Sequence, residues 1–173
     1  MSRKGAGPTA PPERPSHLRV SLRDVQQLLA IQDASYAVAS SSLLESWPKA
    51  HAMDRGSLGS FLEAMSYCVL ATTRPDRRPQ ASPVAFLTYR GAFWFASVPG
   101  ARIRNLRAVP FASLVVLDGQ ASRHRALVAE GQVVLHPLTE AFARRWQARH
   151  GNRASWAALV IELQPERLFS FVA

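Results

Sequence analysis

Two stretches of apolar residues at helical spacing occupy the first part of the chain. From Leu22 to Leu29 they follow Ser21, a residue type that caps helices, and they predict a helix that runs to about Ala39. A second stretch, 58–65, leads directly into the short apolar segment 67–72, which is typical of a buried strand.

After position 67 the pattern changes to short apolar stretches that are separated by turn residues. A two-turn helix is predicted at 101–108, because Pro99-Gly100 precedes it and Pro110 prevents its continuation. An amphipathic helix is predicted at 138–150. Closely spaced strands with few helices indicate a small barrel of six or seven strands rather than a parallel α/β sheet. The predicted strands are 67–72, 80–89, 92–97, 111–117, 125–135, 157–163 and 168–172.

The chain divides into three parts where its composition changes. Residues 1–16 contain four prolines and two glycines and almost nothing to bury, which is typical of a disordered tail. Residues 17–53 are predicted to form a helical extension and a connector, the connector lying around Ser40–Ser42 and Trp47-Pro48. Residues 54–173 hold all the predicted strands and form the predicted barrel domain.

Charge and cysteine content limit the classes of function. Twenty-one Lys and Arg residues against 12 Asp and Glu residues give a net charge of +9. The positive charge is spread along the chain without interleaved aromatic residues, so nucleic-acid binding is not expected. A single cysteine, Cys68, excludes a disulfide framework, and no metal site is predicted. The chain shows neither an apolar run of about 18 residues nor a signal peptide, so we expect no membrane partner and a cytoplasmic location.

The short helix at 101–108 carries candidate binding chemistry. Arg102 and Asn105 lie three residues apart and share a face at the helix start. A helix N-terminus offers free backbone N–H groups and the positive end of a dipole, and an arginine in the first turn adds a charged donor. This arrangement suits a phosphate group, and the simpler alternative is that Arg102 is a solvated surface residue.

Five motifs in a fixed order resemble the pyridoxamine 5′-phosphate oxidase-like flavin-binding split-barrel superfamily. In that group a turn of the Asp-Gly-Arg-Pro type follows the first strand, and a Ser/Thr-Pro-Val step often lies in the second. A basic residue stands three positions before the Asn-Leu of a short helix. The resemblance covers about 58–172 and implies a mainly β (α+β) fold, a six-stranded split β-barrel with short flanking helices, preceded here by the N-terminal helical extension. The matching segments are 67–73, 75–79, 81–84, 93–95 and 102–106 with Pro110.

The resemblance also implies a cofactor, FMN, and a site for it. Arg102 matches the basic residue that contacts the cofactor phosphate, and the strand around Pro83 matches the one whose backbone lies along the flavin ring. Small split barrels of this kind generally pair, with the cofactor groove between the subunits, so a homodimer that acts on a small molecule is implied. The implied cofactor-binding residues are Arg102, Asn105, Ser82, Pro83, Val84, Phe95, Ala96 and Ser97.

Several positions depart from the pattern of the authentic oxidase. Arg77 replaces the usual turn glycine, Ser82 and Leu87 stand where the oxidase has an arginine and a lysine, and Ala101 stands where a second basic residue is usual. The implied function is therefore hydride transfer to or from an unidentified small molecule by a flavin-binding oxidoreductase, with no catalytic side chain predicted. Two alternatives are a reductase of the same fold that uses the deazaflavin coenzyme F-420, and a flavin- or haem-binding sensor or carrier without catalysis.

Overall fold

The computed structural model describes residues 20–120 and 123–173, which form five α-helices and seven strands. The predicted tail at 1–16 lies outside the described residues. The helices are α1 (Leu22–Ala37), α2 (Ser41–Ser46), α3 (Arg55–Ala64), α4 (Ala101–Ala108) and α5 (Glu140–His150), with a 3₁₀ turn at Lys49–His51. The strands are β1 (Tyr67–Thr73), β2 (Pro79–Ala85), β3 (Leu87–Tyr89), β4 (Ala92–Ser97), β5 (Phe111–Gln120), β6 (Arg123–Pro137) and β7 (Leu159–Val172).

All seven strands form one antiparallel sheet in the order β2-β1-β5-β6-β7-β4-β3. The sheet curls into a half-barrel, and the side chains on its inner face make the main core, among them the fully buried Leu114, Leu127 and Ile161. The expected mainly β (α+β) split-barrel fold is confirmed: the resemblance implied six strands and the apolar pattern six or seven, and the sheet has seven.

Segment 80–89, predicted as one strand, is interrupted and forms the two strands β2 and β3. At Phe86 the chain leaves the ladder, and the Phe86 side chain is 1% exposed in the core. Its backbone N–H donates to the carbonyl of Ser66 at 3.1 Å. The prediction of one strand here was wrong, because an apolar residue that turns into the core reads in sequence like any strand residue.

The last two predicted strands are one continuous strand, β7. The pairing of β6 with β7 shifts between Glu130 and Gly131, so Glu166 is an extra residue that accommodates Pro165 within the strand. A Cβ atom on Gly131 would lie 2.0 Å from the carbonyl oxygen of Gln164. Glycine is therefore required at this bulge for steric reasons.

The helix predicted after Ser21 is α1, and the Ser21 side chain accepts the N–H of Asp24 at 3.1 Å. The connector predicted at Ser40–Ser42 instead begins the short helix α2, because the Ser40 hydroxyl caps the N–H of Leu43. Small hydroxyl residues suit both a loop and a helix start, so composition does not separate the two.

Helix α1 lies along the part of β7 that β4 leaves unpaired. Strand β4 pairs only with residues 159–163 of β7. Beyond that point, the N–H of Leu168 donates to Ser35 Oγ at 2.9 Å, and Tyr36 Oη donates to the carbonyl of Ser170 at 2.9 Å. The N-terminal extension is thus packed on the sheet through buried polar contacts.

Helix α5 covers the opposite, outer face of β3 and β4. Phe142 and Trp146 of this helix pack with Leu87, Ala96 and Val160 in a second, smaller core cluster. The helix ends at Gly151, whose φ of 79° is in the left-handed region that favours glycine. This packing brings the end of α5 beside the ends of β2 and β4.

Candidate functional site

A pocket of about 570 Å³ lies where the end of β2, the end of β4, the start of β1 and the end of α5 meet. Five residues that the sequence analysis placed in a cofactor site line it together: Pro83, Val84, Ala96, Ser97 and Arg102. A sixth, Ser82, contacts the side chain of Arg102. The described lining contains two arginines and no Asp or Glu, so the pocket favours an anionic ligand.

Arg102 is a half-buried cation with unused hydrogen-bonding capacity. Its Nη2 atom donates to Ser82 Oγ at 2.8 Å, whereas its Nε atom is buried and has no partner in the described part of the chain. Burial lowers the pKa of Arg102 from its ordinary value. Desolvating a guanidinium without a counter-charge is costly, and an anionic ligand would remove much of that cost.

The start of α4 also lacks a side-chain acceptor. Its N-cap residue is Gly100, which has no side chain to accept the first-turn N–H groups. The other four described α-helices have a side-chain cap from Ser21, Ser40, Asp54 or Thr139. The N–H groups at the start of α4 are therefore available to a ligand beside Arg102.

Cys68 lies on β1 as a free, buried core residue. Burial raises the pKa of the Cys68 thiol to about 12, and the positive charge of Arg102 acts in the opposite, weaker direction. The thiol is therefore protonated near neutral pH and is not an activated nucleophile.

Two of the predicted site residues face away from the pocket. The side chain of Phe95 is fully buried with Phe93 in the main core, because alternation along β4 sends Ala96 to the other face. Asn105 is 3% exposed, and its Nδ2 atom donates to Thr72 Oγ1 at 3.0 Å and to Gln80 Oε1 at 2.9 Å. The side chains of Asn105 and Arg102 therefore have different partners: Asn105 bonds to β1 and β2 through Thr72 and Gln80, and Arg102 bonds to Ser82 of β2.

Comparison with known proteins identifies the family of this chain. Residues 57–173 match the model of the pyridoxamine 5′-phosphate oxidase family. The chain belongs to this family. Helices α1 and α2 precede the matched region. No functionally curated protein matches the sequence.

Solved structures show the same fold. A conserved hypothetical protein from Mycobacterium tuberculosis has a TM-score of 0.65 and 19% identity, over 73% of this chain and 89% of that one. A haem storage protein from Vibrio cholerae has a TM-score of 0.57 and 18% identity, over 68% and 93%. An F420 reductase has a TM-score of 0.53 and 26% identity, over 63% and 93%.

In this member of the pyridoxamine 5′-phosphate oxidase family, one wall of the pocket comes from α5 and the loop after it, which sequence reasoning did not assign to the site. The rings of Trp146 and His150 lie 4.2 Å apart, and Trp156 meets Trp146 edge-on at 6.5 Å. The Nε1 atom of Trp146 is buried without a partner among the described residues. The apolar stripe of α5 looks like that of any amphipathic helix, so nothing in the local pattern indicated this wall.

Arg149 fixes that wall to α3. Its guanidinium donates to the carbonyls of Leu62, Glu63 and Met65, which are among the last carbonyls of α3 and its C-cap. The cation also lies favourably at the negative end of the helix dipole. Because these carbonyls occupy Arg149, Arg102 is the arginine of the pocket with capacity for a ligand.

The described residues contain no group of three or more His, Cys, Asp or Glu side chains placed to hold a metal ion. None of the described helices is long and apolar enough to cross a membrane.

Proposed function

We propose that this protein is a flavin-binding oxidoreductase that holds FMN in the 570 Å³ pocket, with the phosphate at Arg102 and the start of α4. One observation carries the proposal: the half-buried guanidinium of Arg102 has an unpartnered Nε atom and no carboxylate partner among the described residues. A phosphate that accepts from this group supplies the missing counter-charge. Membership of the pyridoxamine 5′-phosphate oxidase family supports a flavin as the ligand.

The rest of the lining suits an aromatic ring system. Pro83, Val84 and Trp146 provide apolar surface, and Ser97 lies at the end of the same wall as Ala96. When bound, FMN supplies the hydride chemistry, and the polypeptide binds and orients it and restricts the access of water. The substrate in this proposal is a small molecule that shares the open side of the pocket.

A homodimer is part of the proposal. The outer face of β1 and β5 is apolar and uncovered: Tyr67 and Leu117 are each more than 60% exposed, and Val69 is 39% exposed. Val69 pairs with Pro83 on one side and with Val115 on the other, so these residues share a continuous apolar surface next to the pocket. A second copy of the chain that covers this face would also complete the open side of the pocket.

The first test is the identity of the bound cofactor. The purified protein is expected to be yellow, and mass spectrometry of the released ligand is expected to show FMN. A protein that neither copurifies with a flavin nor binds added FMN would contradict the proposal.

Arg102→Ala tests the phosphate site. Removing this charge-assisted bond is expected to weaken FMN binding by about 10- to 150-fold, equivalent to roughly 1.5–3 kcal/mol. The exposed Arg107 of the same helix is the matched control, and Arg107→Ala should bind FMN as the wild type does. Equal FMN affinities for wild type and Arg102→Ala, with melting temperatures unchanged, would contradict a phosphate site at Arg102.

The deazaflavin coenzyme F-420 is the second candidate cofactor, favoured by the likeness to an F420 reductase at 26% identity. A colourless protein that binds F-420 in preference to FMN would favour it. A haem-binding carrier is less well supported, because the His150 Nε2 atom donates to the carbonyl of Phe86 at 3.1 Å. This nitrogen is therefore already occupied.

A further inference from the structure

A second cavity, of about 980 Å³, lies at the β3–β4 turn, whereas the Arg102 pocket lies at the opposite end of β4. Its walls come from the start of α1, from β3 and the β3–β4 turn, and from α5. It shares no lining residue with the Arg102 pocket. Helix α1 precedes the region 57–173 that matches the family, so this cavity depends on a part of the chain outside that match.

Asp24 joins two walls of the cavity. Its Oδ1 atom accepts the N–H of Gly91 in the β3–β4 turn at 2.8 Å, and its Oδ2 atom accepts the Ser21 hydroxyl at 2.7 Å. The turn also packs closely on α1, because a Cβ atom on Gly91 would lie 2.7 Å from Gln27 Oε1. The cavity is therefore formed between walls that are already fixed to each other, and both oxygens of Asp24 already accept hydrogen bonds.

Three arginines give the lining an excess of positive charge. Arg23, Arg90 and Arg145 are exposed, and none of them has an ion pair or a side-chain hydrogen bond with another described residue. The acidic residues of the lining are Asp24 and Glu63. The N–H groups of the three guanidinium groups are therefore available to an anion.

The ring of Tyr89 holds two of these cations near each other. The guanidinium carbon of Arg145 lies 3.8 Å from the ring centroid, and that of Arg90 lies 5.1 Å from it. Trp94 fixes Tyr89, since Trp94 Nε1 donates to the Tyr89 carbonyl at 2.7 Å. A guanidinium that lies on an aromatic ring keeps N–H donors at its edge. Two like charges beside one ring repel each other, and a bound anion would offset that repulsion.

The backbone of β3 adds a donor to the cavity. Strand β3 lies at one end of the strand order and pairs with β4. In a hairpin with a two-residue turn, the residues that flank the turn, here Tyr89 and Ala92, form a hydrogen-bonded pair, and such pairs alternate along the strands. Thr88 is therefore in a non-hydrogen-bonded pair, so its N–H points to the open edge of the sheet. Thr88 lines the cavity, and its buried Oγ1 atom has no partner in the described part of the chain.

Arg90 has a backbone conformation that is unfavourable for arginine. Its φ is 55° and that of Gly91 is 66°, as in the two-residue hairpin turn that favours Asn, Asp or Gly at the first position. An arginine in this position costs stability that an asparagine would not cost. The strain points to a use for the positive charge of Arg90 at this place in the structure.

We propose that this cavity binds a small molecule through an anionic group, a phosphate or a pair of carboxylates, held by Arg23, Arg90 and Arg145. Val20 and Leu22 offer apolar surface to the rest of that molecule. Residues 1–19, which directly precede the cavity in the chain, contain four Lys and Arg residues and one Glu, so their charge does not suit them to this cavity. The inference goes beyond the proposed function and does not require FMN in the Arg102 pocket.

Titration calorimetry of the full-length chain with inorganic phosphate, pyrophosphate and citrate, at constant ionic strength, tests the site. Each variant is made in the wild type and in Arg102→Ala, because the Arg102 pocket also favours anions. We expect saturable binding that persists in Arg102→Ala, and we expect Arg145→Ala to weaken it by about 10-fold, which is the loss of one charge-assisted hydrogen bond. Arg145→Lys, which keeps the charge, should recover part of the loss.

Arg90→Asn separates binding from stability. Asparagine tolerates the left-handed backbone, so the melting temperature should rise while the affinity for the anion falls by about 10-fold. Arg77→Asn is the matched control, because Arg77 has a φ of 66° and is exposed in the β1–β2 turn, outside the lining of this cavity. It loses the same charge and relieves the same kind of strain, and it should leave anion binding unchanged.

The preferred probe identifies the class of ligand. Tighter binding of phosphate or pyrophosphate than of citrate indicates a phosphate ester, and the reverse order indicates a molecule with several carboxylates. The proposal is overturned if no probe binds saturably in Arg102→Ala, if Arg90→Asn and Arg145→Ala bind the probes as their parent chains do, or if Arg77→Asn weakens binding equally. FMN is absent from these titrations, so their failure leaves the proposed function standing.

Discussion

Arg102 and Cys68 lie near enough to interact electrostatically, and burial favours the uncharged form of each. Burial lowers the pKa of the Arg102 guanidinium, and it raises the pKa of the Cys68 thiol to about 12. The arginine remains charged at neutral pH because its ordinary pKa is so high, whereas the thiol remains neutral. Arg102 therefore supplies a cation to the site, and the neighbouring thiol of Cys68 is not an activated nucleophile.

Cys68 should be unreactive in the folded protein. At pH 8, a thiol-specific reagent is expected to label unfolded protein rapidly and native protein only as fast as it opens, because the thiol is buried and protonated. The pKa of the thiol is higher in the folded than in the unfolded chain, so its contribution to stability is full below the unfolded value and is lost as the pH rises towards 12. Rapid labelling of native protein at pH 8 would contradict this assignment.

Gly131 and Gly59 give opposite predictions for substitution by alanine. A Cβ atom at Gly131 would lie 2.0 Å from a backbone oxygen of β7, so Gly131→Ala should destabilise the protein by about 2–4 kcal/mol. At Gly59, within α3, a Cβ atom would make an ordinary 3.5 Å contact with Val25, so Gly59→Ala should stabilise by up to about 1 kcal/mol. Urea unfolding of both variants measures these changes in the free energy of unfolding. An unchanged value for Gly131→Ala would show that the bulge accepts a Cβ atom.

At the scale of elements, the positions of proline and glycine predicted where a helix begins and ends. They did not predict that a strand would continue through a proline. Helix α4 begins and ends where Pro99-Gly100 and Pro110 require it to. Strand β7, in contrast, continues through Pro165, because the extra residue Glu166 removes the conflict between proline and the ladder. The extra residue can be recognised only from the pairing of β7 with β6, about 35 residues earlier in the chain. The sequence around Pro165 alone therefore does not indicate it.

Helix α1 makes a testable contribution to stability through Tyr36. Its hydroxyl donates to the carbonyl of Ser170, and Tyr36→Phe should cost about 1 kcal/mol, whereas Tyr67→Phe, at an exposed hydroxyl, should cost nothing measurable. Burial raises the pKa of Tyr36, so stability should fall as the pH rises through that raised value, and Tyr36→Phe should flatten this alkaline dependence. Guanidinium unfolding at pH 8 and above pH 10 checks both effects.

At the scale of the whole molecule, the candidate site is assembled from parts that are distant in sequence. Arg102 and Pro83 were predictable from short motifs near each other in the chain. Trp146 and His150 were not, because α5 reaches the pocket only after the sheet has curled and Arg149 has docked the helix end on α3. Phe95 and Asn105, which were also predicted for the site, do not line the pocket, because the direction of each side chain depends on strand alternation and on partners across the sheet.

The proposed homodimer predicts that one charge on the outer sheet face prevents association. Val69→Asp places a carboxylate among apolar residues of β1, β2 and β5, and we expect light scattering to give the monomer mass and FMN affinity to fall with it. Val38→Asp is the matched control, because Val38 is 77% exposed at the end of α1. A dimer that persists in Val69→Asp, or a monomeric wild type, would contradict the proposed arrangement.

The position of α1 along β7 has a consequence for shortened forms of the protein. The family match covers 57–173 and includes every strand, so a chain cut to that region retains the sheet but loses the partners of the N–H of Leu168 and the carbonyl of Ser170. A row of backbone donors and acceptors would then be open to pairing with the same segment of another molecule. Pairing of one segment with its own copy uses the same surface on both molecules and closes on itself, so the shortened protein should form a discrete two-fold dimer through this edge rather than open-ended aggregates.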